Sequence, residues 1–117
     1  MTTLTLNDDQ LVLVCQGLAR IMSEEAEAAG RYIFDYADRP DGPGSLIDKE
    51  RNRYLAAAAI LDAIHGTDYP ERHIFRLSQF KTDARNAARR HADRRLERGD
   101  HLSPAQRALA AELDGIP

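Results

Sequence analysis

Between residues 8 and 37 apolar side chains recur at alternating intervals of four and three. Leu11, Cys15, Leu18, Met22, Ala29, Tyr32 and Tyr36 keep that spacing, with Glu25 at the position between Met22 and Ala29. A run of this kind places one stripe along a single long helix, and another helix must cover it. Beyond the first few residues no segment shows the period-two alternation of a strand. The chain is therefore expected to be all-α.

Helix punctuation divides the sequence into three long helices and a short one. Asn7 can cap the first helix through its side-chain oxygen, with Gln10 reaching back and Leu6 packing onto Leu11. Asp8 and Asp9 then lie at the positive end of the helix dipole. This helix is expected to run to about Ala37, with a bend or break at Gly30. Two prolines and two glycines in Arg39-Pro-Asp-Gly-Pro-Gly44 make a turn. Ser45, with Asp48 as its capping-box partner, predicts a second helix over 46–65, ended by Gly66. The short turn makes the first two helices an antiparallel hairpin. Pro70 opens a third helix reaching about Arg98, and Ser103-Pro104-x-Gln106 starts the last one, which ends near Leu113. The expected architecture is a small helical bundle, one domain over 1–117, with a short C-terminal helix.

The apolar content is thin. Leu, Ile, Val and Phe number 25 of 117 residues, and much of the remaining hydrophobic fraction is alanine, which removes little area from water per residue. A core of this kind gains stability from a partner, so a homodimer is among the expected states. The N-terminus has no basic segment followed by an apolar run, and no stretch is long and apolar enough to span a membrane. The single cysteine, Cys15, has apolar neighbours and is expected as a buried thiol. A cytoplasmic location is the corresponding expectation.

Charge is segregated along the chain. Residues 1–69 carry six Lys/Arg against twelve Asp/Glu, residues 70–99 carry nine against four, and residues 100–117 carry one against three. The third helix is a basic rod in an acidic protein. On a helical wheel Leu77, Phe80, Ala84, Ala87, Ala88 and His91 gather on one face, flanked by Lys81, Arg85 and Arg89 on one side. Arg72, Arg76, Arg90, Arg94 and Arg98 flank it on the other.

Three uses of this rod compete. Its arginines can pair inside the bundle with Glu24, Glu27, Asp48, Glu50 or Asp62. They can neutralise a nucleic-acid backbone by counterion release, although the pI of about 5.8 opposes this and the chain lacks the compact geometry of a helix-turn-helix reader. They can also dock an acidic protein.

Val12, Leu13 and Phe34 fall off the main stripe of the first helix. Either the third or fourth helix covers them or they mark a dimer or partner surface. Glu25 interrupts the stripe and is expected to be partly exposed, with Tyr54 or His91 able to serve as its partner.

No constellation for catalysis is legible. Cys15 has no base nearby in sequence, and Gly42-Pro-Gly-Ser45 lacks the spacing and lysine of a phosphate loop. Asp62-x-x-His65 is the one metal-like pair, but di-iron bundles need that element twice with further glutamates. His65 is better placed to meet the negative end of the helix dipole. No enzyme activity, catalytic residue, metal or cofactor is expected. The function expected is a non-catalytic adaptor, regulator or inhibitor that binds another protein with an acidic surface. The binding residues would be Arg85, Arg89, Arg90 and Arg94, together with Val12, Leu13 and Phe34. The alternative is nucleic-acid backbone binding through the same arginines.

Overall fold

The computed structural model describes residues 5–39 and 44–115. It is an all-α bundle of helices α1 (Asp8–Asp35), α2 (Asp48–Ile64), α3 (Pro70–Glu97) and α4 (Pro104–Asp114). The turn expected over 39–44 lies mostly outside the described residues.

Two of the three predicted capping boxes form. Asn7 Oδ1 accepts from the Gln10 backbone N–H at 2.8 Å while Gln10 Oε1 accepts from the Asn7 N–H at 3.0 Å. Ser103 and Gln106 do the same for α4. Ser45 does not cap α2. Gly44–Ile47 wind as a 3-10 turn, α2 begins two residues later than expected, and its cap residue Ile47 makes no side-chain bond. The tighter turn brings Ile47 against the core, so packing of that side chain outweighs the local capping signal.

At the far end of α2 the expected terminator is present. Gly66 takes a φ of 69°, the Thr67 N–H donates to the Asp62 carbonyl at 2.8 Å, and the Gly66 N–H donates to that of Ala63 at 3.2 Å. This is the Schellman pattern, which a glycine enters without a Cβ penalty. It reverses the chain tightly enough to lay α3 antiparallel to α2.

Gly30 does not break α1. The helix continues through it unbroken and meets α3 there. A Cβ built at Gly30 would stand 2.5 Å from both Ala87 Cβ and the Ala88 N, and 2.7 Å from the Ala84 carbonyl oxygen. Glycine on one helix and three alanines on the other bring the two backbones together, and α1 and α3 run in the same direction past this point. The main core, with Met22, Tyr54 and Phe80 among its buried members, lies between α1, α2 and α3. A second cluster, Phe34, Ala92, Leu102 and Ala110, seats α4 at the opposite end from the α2–α3 turn.

Candidate interaction surface

Asp62 accepts four side-chain hydrogen bonds from described residues. It sits in the last turn of α2, buried, and Arg76 of α3 meets it with two donors: Nη2 to Oδ1 at 2.6 Å and Nε to Oδ2 at 3.0 Å. Arg72, one turn earlier, adds Nε at 3.3 Å, and the Thr67 hydroxyl a further donor at 3.3 Å. The hydrogen bond from Arg76 holds the carboxyl below its ordinary range despite burial, which acts in the opposite sense. Asp62 raises the Arg76 guanidinium in return. The pair with His65 read from sequence is not a site: His65 is the cap residue of α2 and exposed. No cluster of three or more metal-ligating side chains occurs among the described residues.

The other arginines of α3 except Arg94 follow the same logic of internal pairing, though only partly with the acids expected. Arg90 reaches Glu27 of α1. Arg85 and Arg89 turn instead to α4, meeting Glu112 at 3.5 Å and Asp114 at 3.7 Å. Arg95 bridges Asp35 of α1 and Asp100 beyond α3, and His91 Nε2 stands 2.8 Å from the same Asp35 carboxylate. Glu24 pairs within α1, and Asp48 pairs within α2. Glu50 takes no arginine, and its Oε2 is buried without a hydrogen-bond partner among the described residues. Of the four arginines predicted to bind a partner, Arg94 is exposed and makes no ion pair with a described residue.

Phe34 does not belong to a surface. It is fully buried, edge-on to His91 at 5.8 Å between ring centroids, with Arg95 over its face at 5.7 Å. The α4 side chain Gln106 donates to the carbonyls of Phe34 and Asp35. It is thus covered by α3 and α4, and it anchors α4 rather than a partner. Val12 and Leu13 are 54% and 67% exposed. Cys15 is half-buried. Glu25 is partly exposed as expected, but its cation is Arg53, at 3.2 Å, rather than Tyr54 or His91.

Toward the α2–α3 turn α1 and α3 separate, leaving a groove of about 420 Å³. On α1 it is lined by Ala19, Met22, Ser23 and Ala26, and on α3 by Arg76, Gln79, Asp83, Asn86 and Arg90. The α3 set keeps the three-four alternation of a helix-packing seam, but with polar side chains. Tyr54 closes the base. Its hydroxyl donates to Asp83 Oδ2 at 2.8 Å, and burial, with that carboxylate, pushes the phenol well above its usual range. Sequence reading missed this groove because its α3 wall reads as a solvated face; the three-four spacing of those polar residues was the available signal.

Six of the nine exposed large apolar side chains lie toward this same end of the bundle, Val12 and Leu13 on α1, Ile60 on α2, Tyr69 in the turn, Ile74 and Phe75 on α3, while Tyr32, Tyr36 and Leu96 lie toward the other. Arg72 lies over the Phe75 ring at 4.4 Å. No helix among the described residues is long and apolar enough to cross a membrane. No family model, curated protein or solved structure matches the chain.

Proposed function

We propose that this chain is a non-catalytic protein-binding module, acting as an adaptor, regulator or inhibitor through the apolar end of the bundle formed by the start of α1 and the α2–α3 turn. The observation that carries the reading is a mismatch in what the fold covers. Among the described residues six large apolar side chains are buried, while nine are exposed. Nine of the fifteen buried hydrophobic residues are alanine. Large exposed apolar groups concentrated at one end mark an interaction site.

The arginines now carry less of the argument. With Arg72, Arg76, Arg85, Arg89, Arg90 and Arg95 engaged by acids of this chain, the basic rod serves first to tie α3 to its neighbours. That weakens both the acidic partner and the nucleic-acid backbone as ligands, since each needs cations free to exchange. Arg94 and Lys81 remain as exposed cations at the margin.

The test compares two variants of the immobilised chain for capture of its partner protein. Val12→Glu with Leu13→Glu places charge on the apolar end; Lys81→Glu with Arg94→Glu reverses two exposed cations of α3. The first is expected to abolish capture and the second to leave it nearly intact, both with unchanged helicity. The opposite ranking contradicts the reading.

A further inference from the structure

The chain leaves 7817 Å² of surface accessible, against roughly 6,400 Å² for a compact monomer of its mass. The excess falls within the roughly 1,000–2,500 Å² that each chain of an obligate homodimer buries. Shape points the same way. The radius of gyration is 16.9 Å, where about 13.4 Å suits a compact domain of this length. The long axis, 53 Å, is nearly twice either short axis of 28 Å.

The groove and the start of α1 offer a surface that fits itself. Val12, Gln16, Ala19 and Ser23 follow one another at four, three and four residues, lie on one face of α1, and are all exposed. Ala19 and Ser23 line the groove, whereas Val12 lies further toward the N-terminus of the same helix. The row is large at one end and small at the other. A second α1 laid antiparallel across it, about a two-fold axis between Gln16 and Ala19, sets Val12 of each copy over the small side chains of the other. An isologous interface needs this kind of self-complementarity.

We propose that the chain forms a two-fold homodimer in which the N-terminal half of each α1 lies across the α1–α3 groove of the other copy. The inference rests on the reading of the start of α1 as a protein-binding surface and names the occupant of that part as a second copy of this chain.

The test is site-directed cross-linking joined to a mass measurement. Ala19→Cys in a Cys15→Ser background is treated with a short bis-maleimide, beside Ala56→Cys, exposed on α2, in the same background. Mass is followed by light scattering over a wide concentration series, for the unmodified chain as well, so that a folding defect in the cysteine variants does not decide the result. The unmodified chain is expected at twice 13.1 kDa, with Ala19→Cys cross-linking to dimer and Ala56→Cys remaining single. Val12→Glu is expected to weaken the dimer by about tenfold or more through burial of a charge. A monomer at every concentration overturns the homodimer, as does a dimer that cross-links through Ala56→Cys and not Ala19→Cys. If such a monomer still captures another protein through Val12 and Leu13, the module reading stands without the homodimer; if it captures none, both fall.

Discussion

Arg76 grips Asp62 with two nitrogens across the α2–α3 turn, at 2.6 Å and 3.0 Å, with both residues buried. The pair joins the last turn of α2 to the second turn of α3, and Thr67 and Arg72 close the remaining sides of the carboxylate. Removing one partner strands the other charge in the interior. Asp62→Asn is therefore expected to destabilise the chain by about 3–5 kcal/mol, measured by denaturant unfolding. Replacing both, as Asp62→Leu with Arg76→Met, is expected to recover most of that loss.

The same contact has a pH signature. Because the folded Asp62 carboxyl is held below its ordinary value by Arg76, its contribution is fully present above about pH 4, the unfolded value. It is lost as pH falls through the folded value. A melting curve series across this acid range should fall more steeply for the native chain than for Asp62→Asn.

Tyr54 gives the opposite limb. Its hydroxyl is buried and donates to Asp83, so the folded phenol ionises well above its usual value. The stabilisation is complete below about pH 10 and is lost as pH rises beyond it. Tyr54→Phe should be less stable at neutral pH and should flatten the alkaline decline of melting temperature.

Gly30→Ala separates local propensity from packing. In an isolated helix the change is favourable by about 1 kcal/mol. Here the new methyl meets the backbone of Ala84 and Ala88 and the Cβ of Ala87, all under 3 Å. Backbone cannot swing aside as a side chain can. Overpacking should win, for a net loss of about 1–3 kcal/mol, read as a lowered unfolding midpoint.

Phe34→Ala removes the anchor under α4 and should cost about 3–5 kcal/mol. The Arg85–Glu112 and Arg89–Asp114 pairs hold the same helix from outside, but all four side chains are about half-exposed or more. Arg85→Ala and Arg89→Ala should each change stability by under about 1 kcal/mol. Comparable losses from the arginines and from Phe34 would show that charge, rather than the apolar anchor, docks α4.

Much of the fold was legible because its signals are local. Asn7 with Gln10 and Ser103 with Gln106 each complete a cap within four residues, and Gly66 terminates a helix by its own conformational freedom. What was not legible depends on residues distant in sequence. Gly30 shows only a local cost until Ala84, Ala87 and Ala88 stand opposite it. Phe34 falls off the main stripe, and only the bundle decides between cover and surface: His91 and Arg95 of α3 and Gln106 of α4 close over it. Asp62 was legible as one of the acids open to the α3 arginines; that Arg72 and Arg76, ten and fourteen residues on, are the ones that reach it required the turn between α2 and α3. Ser45 had the right spacing for a cap, and the packing of Ile47 overrode it. The apolar positions Val12 and Leu13 were visible as outliers; that Ile60, Tyr69 and Phe75 are also exposed, on the end of α2, the turn and the start of α3, required the bundle.

Amide hydrogen exchange over residues 8–22 tests most directly whether the start of α1 is an interface. A helix end with no cover frays and exchanges fast. With a partner seated, whether a second copy or the captured protein, this segment is expected to slow toward the rates of the Tyr54 and Phe80 segments. The outer face of α3 around Lys81 and Arg94 should not change. Fast exchange across 8–22 in every bound and concentrated state, or protection confined to the outer face of α3, would contradict the account.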